Sequence, residues 1–198
     1  MTRPTNLDPT RKTYDEHAAV IAERFWDTQL DKAWQAFMAA LPPQASIIDV
    51  GCGPGRDTQH FIEQGHTVFG LDYSAGLLAE AAKRSAGMFI QADMRTLPLA
   101  ASHFDGAWLS ASLLHLQKPD VPGVLKGLHT CLKPGGVVYI SLKAGHGEEW
   151  EVREGPRFFA YYASEEIEQL ITQAGFSLRQ TWQDETPKFT WLNLLAEK

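Results

Sequence analysis

Ser46-Ile-Ile-Asp-Val-Gly-Cys-Gly-Pro-Gly55 is the stretch on which the fold turns. A short apolar run ends in glycines at 51, 53 and 55. The run reads as a strand, and the glycines end it and let backbone approach a ligand closely. The following segment, about Arg56 to Gln64, reads as a helix carrying Phe61 and Ile62 inward. Gly65 closes it, because glycine accepts the left-handed geometry of a helix C-terminus.

The same alternation continues downstream. Thr67–Leu71 reads as a strand, Ser74–Arg84 as a helix, Met88–Gln91 and Phe104–Leu109 as strands, and Val121–Leu132 as a helix. Pro134-Gly-Gly136 turns into a strand over Val137–Ser141. A last helix spans Ser164–Ala174, with Ser164 as N-cap. Phe176–Trp182 and Phe189–Leu195 are strands joined by a few residues around Pro187, too few for a parallel crossover, so they pair antiparallel. Strands alternating with helices imply βαβ units and a parallel sheet covered on both faces, a three-layer α/β/α domain.

Upstream, Ala18, Ile21, Phe25, Leu30, Ala33, Phe37 and Leu41 recur at helical spacing, with a break at Asp27-Thr28 and a stop at Pro42-Pro43. Residues 1–12 are polar with two prolines and read as a mobile arm. The organisation expected is therefore an arm over 1–12 and one domain over 13–198. Within that domain, 13–43 forms a helical lid and 144–163 a loop over the acceptor site.

The 198 residues bound the chain to one domain, with 44% apolar and 21% charged residues, as in ordinary globular proteins. A net charge of −6 makes it a poor bulk partner for nucleic acid. No run approaches a spanning helix, the N-terminus has no apolar signal core, and two cysteines make no disulfide framework or metal motif. A soluble, cytoplasmic protein without membrane or metal is the expectation.

In an open α/β sheet, ligands bind beyond the carboxyl ends of the strands. A dinucleotide loop wants a small residue where this chain has Arg56, and its third glycine, Gly55, falls one place early. That spacing disfavours a nicotinamide or flavin. Asp72 ends the next strand, about 20 residues on, suited to accept from a ribose diol. Tyr73 beside it can pack on a purine. Asp93 and the amide of Met94 end the third strand, with hydrogen-bonding capacity for an adenine edge. These strand ends supply the parts for an adenosine-like ligand.

Asp49–Gly55, Gly70-Leu-Asp-Tyr-Ser74, Ala92-Asp-Met94, Phe104-Asp105 and Leu132-Lys-Pro-Gly-Gly136, in that order, resemble the motifs of class I S-adenosylmethionine-dependent methyltransferases. The resemblance spans about residues 14–197. It implies a doubly wound, mostly parallel seven-stranded sheet of Rossmann-like type with an antiparallel C-terminal hairpin, and S-adenosyl-L-methionine as cofactor with S-adenosyl-L-homocysteine as product. It assigns Gly51, Cys52, Gly53 and Gly55 to the methionine part, Asp72 to the ribose with Tyr73 and Ser74 beside it as cofactor-binding residues, Asp93 and Met94 to adenine, and Leu109 and Ser110 to the methionyl end. Tyr14 resembles a tyrosine that closes over the cofactor, and Arg24 and Arg56 compete for the methionine carboxylate.

Structural readings stand beside these. Asp49 caps the glycine loop through backbone amides, Asp93 begins a turn, Cys52 fills the loop, and Tyr14 packs in the core. His115, after the fourth strand, is either a base toward the acceptor or a histidine bonded to loop backbone. Lys143, Glu148, Trp150, Phe158 and Tyr161 gather where an acceptor is expected. The function expected is methyl transfer to a small-molecule acceptor by a monomer or homodimer. The alternatives are an RNA (tRNA) methyltransferase and a non-catalytic S-adenosylmethionine-binding protein.

Overall fold

A computed structural model describes residues 7–198. Three helices come first: α1 (Leu7–Glu16), α2 (Ala18–Trp26) and α3 (Asp31–Ala39). The expected break falls between α2 and α3, and the chain leaves helix before Pro42. Residues 7–12 correct the expected arm, since they form the front of α1. Residues 1–6 lie outside the described residues. The sequence hides α1 because the helix docks through polar groups rather than an apolar stripe. Phe158 N donates to Thr10 Oγ1 at 3.0 Å, and Thr13 Oγ1 donates to Pro156 O at 3.0 Å.

The α/β body follows: β1 (Ser46–Val50), α4 (Arg56–Glu63), β2 (Thr67–Asp72), α5 (Ala75–Arg84), β3 (Met88–Gln91), β4 (Phe104–Ser110), α6 (Val121–Cys131), β5 (Leu132–Lys143), β6 (Glu148–Glu151), β7 (Arg157–Ala160), α7 (Ser164–Gln173), β8 (Ser177–Glu185) and β9 (Thr190–Glu197). Seven strands form one sheet in the order β3-β2-β1-β4-β5-β9-β8. β1 to β5 are mutually parallel, and β9 pairs antiparallel with both β5 and β8. The doubly wound sheet with its antiparallel hairpin is as expected. Ala163, rather than Ser164, stands at the N-cap of α7. The expected loop over 144–163 contains a two-stranded sheet of its own, β6 with β7.

Alternation along the strands divides the core. Ile48 and Val50 of β1, with Leu109, Val138 and Ile140, pack with Val124, Leu125 and Leu128 of α6 and with Ile167 and Ile171 of α7. Ile47, facing the other way, joins Val68, Trp108 and Tyr139 against Trp34 and Phe37 of α3 and Phe61 of α4. Trp108 stacks on Tyr139 with ring centroids 3.9 Å apart. At the amino end of the sheet, Asp105 accepts from Ser46 N (2.9 Å) and from Lys133 Nζ (2.8 Å), tying β1, β4 and β5 together. The order reverses beside β1, between β2 and β4, which opens the crevice at their carboxyl ends.

Candidate active site

The three loop glycines are required for different reasons. All have positive φ: 76°, 54° and 83° at Gly51, Gly53 and Gly55. A Cβ on Gly51 would lie 2.2 Å from Ser112 Cβ, and one on Gly55 3.1 Å from Ala81 Cβ. These two let Ser112, just beyond β4, and α5 approach the loop. A Cβ on Gly53 would meet nothing within 4 Å. Gly53 therefore presents bare backbone to open space, which is what a closely held ligand needs.

One carboxylate organises this turn. Gly53 N donates to Asp72 Oδ2 at 2.9 Å, and Ser74 N to Asp72 Oδ1 at 2.8 Å. Burial raises the Asp72 pKa, opposed by those amides. A carboxylate offers about four lone-pair sites, so acceptor capacity remains for hydroxyls. Ser74 caps α5, accepting from Leu77 N, and donates its own hydroxyl to Asp15 Oδ1 of α1 at 2.7 Å. The Tyr73 hydroxyl donates to Asp8, and its ring carries Arg11 at 5.4 Å. Cys52 is buried, and burial pushes its thiol well above the ordinary range, so it fills the loop and is no nucleophile.

Beneath the loop lies an ionic network that the sequence reading missed. Asp57 Oδ1 accepts from Trp34 Nε1 (3.1 Å) and Arg56 Nε (2.8 Å), and its Oδ2 from Trp108 Nε1 and Arg56 Nη2 (both 2.8 Å). Arg56 is thus spent on Asp57. Asp49 accepts from Thr58 Oγ1 at 2.7 Å rather than from loop amides. Burial and the nearby Asp57 raise its pKa well above the carboxylate range. The other cationic candidate, Arg24, is an exposed residue paired with Glu154 at 2.6 Å. Neither arginine stands with its guanidinium free for a carboxylate.

Asp93 begins a one-turn helix over Met94–Thr96 and grips Arg95 through both oxygens, with Arg95 Nε at 3.1 and 2.9 Å. The Met94 methyl lies 3.6 Å from where a Cβ on Gly51 would stand, so Met94 reaches the glycine loop. Leu109 is fully buried in the core, which leaves only its backbone for a ligand. Ser110 ends β4 opposite Ser141. Ala111 follows at φ 52°, a conformation rare for a non-glycine, with its N–H donated to Ser141 Oγ at 2.9 Å.

Where the acceptor is expected, Tyr14 and His115 are joined. Tyr14 Oη and His115 Nε2 are 2.8 Å apart, and His115 Nδ1 is 2.8 Å from Phe158 O. A carbonyl only accepts, so Nδ1 carries the proton and Nε2 accepts from Tyr14. Burial lowers the His115 pKa to about 4, with Arg157 and Lys143 adding repulsion, and raises Tyr14 to about 12. His115 is thus bonded to the backbone of β7 rather than of a loop, and its single lone pair is taken. Lys143 is buried against Phe159, Phe189 and Tyr161. Phe158, in β7, is buried, with its cross-strand partner Trp150 packed edge-on against it at 5.6 Å. Tyr161 donates to Glu149 at 2.5 Å, while Glu148 is exposed and accepts from Lys118 N. Arg157, Phe159 and Phe189 complete the cluster. The sequence offers no spacing that singles them out, because β5, β7 and the turn before β9 bring them together.

Comparison with known proteins agrees with this geometry. Residues 47–136 match the family model described as a methyltransferase domain. A malonyl-[acyl-carrier protein] O-methyltransferase of Enterobacter lignolyticus is 39% identical over 107 residues, covering 52% of this chain and 41% of that protein. A trans-aconitate 2-methyltransferase of Deinococcus radiodurans is 36% identical over 108 residues, covering 52% and 40%. The chain thus spans about two fifths of the length of these curated relatives. Among solved structures, 1,6-didemethyltoxoflavin-N1-methyltransferase of Burkholderia thailandensis, with 1,6-didemethyltoxoflavin and S-adenosylhomocysteine bound, superposes with a TM-score of 0.82 at 24% identity, covering 100% and 93% of the two chains.

Strand order and crevice define the class I S-adenosylmethionine-dependent methyltransferase fold. Residues 47–136, which hold the glycine loop, Asp72 and Asp93, are the part of the chain that matches the methyltransferase-domain model.

Proposed function

We propose that the protein is an S-adenosylmethionine-dependent methyltransferase acting on a small-molecule acceptor in the cytoplasm. The observation that carries this is Gly53, whose backbone faces open space while its N–H is held by Asp72 at the neighbouring strand end. Support comes from the family match over residues 47–136 and from relatives that methylate small or carrier-bound acids. The residues present fit the cofactor: Gly53 for the methionyl portion, Asp72 for the ribose, and the Asp93–Met94 turn for the adenine. Bound there, S-adenosylmethionine supplies a methyl group on a sulfonium, already an excellent leaving group.

The chain's own task is therefore positioning and exclusion of water. Helix α1 covers the crevice, fixed to α5 by Asp15 and to the far side by Tyr14. Asp15 Oδ1 accepts from both Ser74 Oγ and Gly76 N, and Gly76 has no room for a Cβ beneath α1. His115 holds the Tyr14 hydroxyl over the crevice and is a positioning residue, because its lone pair is occupied and its basicity is low.

Calorimetric titration with S-adenosylhomocysteine, together with transfer of a labelled methyl group to metabolite pools, tests the reading. Binding and label among small molecules support it. An Asp72→Ala variant is expected to bind the product at least about a hundredfold more weakly. Unchanged binding in that variant, or label confined to RNA, refutes the site or the acceptor class respectively.

A further inference from the structure

Lys143 ends β5 with only 6% of its surface exposed. Its ammonium lies 3.8 Å from the Phe159 ring centroid, 3.9 Å from that of Phe189 and 6.0 Å from that of Tyr161. Among the described residues it has no carboxylate in ion-pair contact, and Glu149 and Glu151 act on it only at longer range. Desolvating an ammonium is costly, and aromatic faces attract the charge without accepting its N–H donors as a carboxylate would. The aromatic walls therefore leave the charge under-compensated.

A second cation shares the same wall. The Arg157 guanidinium is 5.6 Å from the Phe159 ring centroid. Its Nη2 stands 3.3 Å from Glu151 and 3.9 Å from Glu154, and its buried Nε has no hydrogen-bond acceptor among the described residues. His115 packs on Phe159 too, at 4.9 Å, with both ring nitrogens engaged. The phenylalanine thus gathers two cations and one neutral imidazole whose lone pair is already taken. Glu151 and Glu154 answer part of the Arg157 charge, and Lys143 is left as a buried cation with no ion-pair partner among the described residues.

We infer that the acceptor carries a carboxylate, received by Lys143 and Arg157 against Phe159 beside the Tyr14–His115 pair. This rests on the methyltransferase reading and narrows its substrate class. An acceptor whose attacking oxygen is that of an already ionised acid needs no base. The new oxygen–methyl bond forms as the carbon–sulfur bond breaks, its electron pair stays on sulfur, and the two opposite charges cancel without release of a proton.

The test titrates trans-aconitate, adipate and benzoate, with trimethyl trans-aconitate as the uncharged counterpart, into protein saturated with S-adenosylhomocysteine. At least one acid is expected to bind, with the ester about tenfold or more weaker. Lys143→Met, similar in length and compatible with the aromatic walls, is expected to weaken the acid about tenfold while S-adenosylhomocysteine binds as before. Lys143→Arg is expected to recover part of the loss. Acids that bind no better than the ester, a Lys143→Met variant that binds them unchanged, or a protein that binds S-adenosylhomocysteine and none of the acids overturns the inference. Failure to bind S-adenosylhomocysteine breaks the methyltransferase reading, and the inference with it.

Discussion

Around the ends of β1 and β2, polar contacts run from backbone amides to one carboxylate: Gly53 and Ser74 to Asp72. Around β5 and the β6–β7 hairpin they run between side chains instead, Tyr14 to His115, Tyr161 to Glu149, Lys143 onto Phe159. A region made of backbone needs glycines and a capping acid at fixed offsets and tolerates little else. A region made of side chains can change its occupants without changing the fold. The difference separates a side built from backbone from a side built from side chains within one crevice.

The contrast can be broken most forcefully beneath the loop, where side chains support the backbone site. Asp57→Ala is expected to cost about 3–5 kcal/mol in urea unfolding, because Arg56 loses its buried partner and two indole N–H groups lose their acceptor. A cost below about 1 kcal/mol would show the network to be incidental. Gly53→Ala sharpens the contrast. Its Cβ meets no neighbour, so only the positive φ opposes it, about 1 kcal/mol of stability. Binding of S-adenosylhomocysteine should fall more steeply, about tenfold or beyond. Equal effects on both would mean the open side of Gly53 receives nothing.

On the acceptor side the sharpest handle is pH. His115 titrates near 4 in the fold against about 6.5 when free. Above that free value both states are neutral and stability is unaffected. As pH falls from about 6.5 toward 4, the unfolded chain binds a proton that the fold refuses, and stability declines. Between pH 7 and 5 the wild type should lose about 1–2 kcal/mol more than His115→Gln, measured by paired urea titrations. The smallest effect belongs to Arg24. Its ion pair with Glu154 is exposed, so Arg24→Ala should change stability by less than about 0.5 kcal/mol and leave cofactor affinity within about twofold.

The sequence carried the cofactor side because backbone geometry leaves a residue-type signature. Three glycines, an acid at the next strand end and a turn acid at the third were all legible, and so was the antiparallel hairpin, from the short link around Pro187. Roles assigned to single charged side chains fared differently. Arg24, Arg56 and Asp93 are held by Glu154, Asp57 and Arg95, pairings that a residue's own identity does not announce. The β6–β7 hairpin escaped because Glu148-Glu-Trp-Glu151 lacks an alternating apolar face. Phe189 escaped because only tertiary structure places it beside Lys143.

Helix α1 holds the crevice through partners far along the chain: Tyr14 with His115, 101 residues on, and Thr13 and Thr10 with Pro156 and Phe158, 143 and 148 residues on. During synthesis these first residues leave the ribosome long before their docking surface exists. Asp15 and Asp8 can tie α1 to the β2–α5 region first, but the contacts to β7 wait for the β6–β7 hairpin, and joining such distant segments is slow. The cover is thus completed late. Held by a few polar contacts, it is also the first to come loose, so amide hydrogens in α1 should exchange with solvent well before those of β1 or β4.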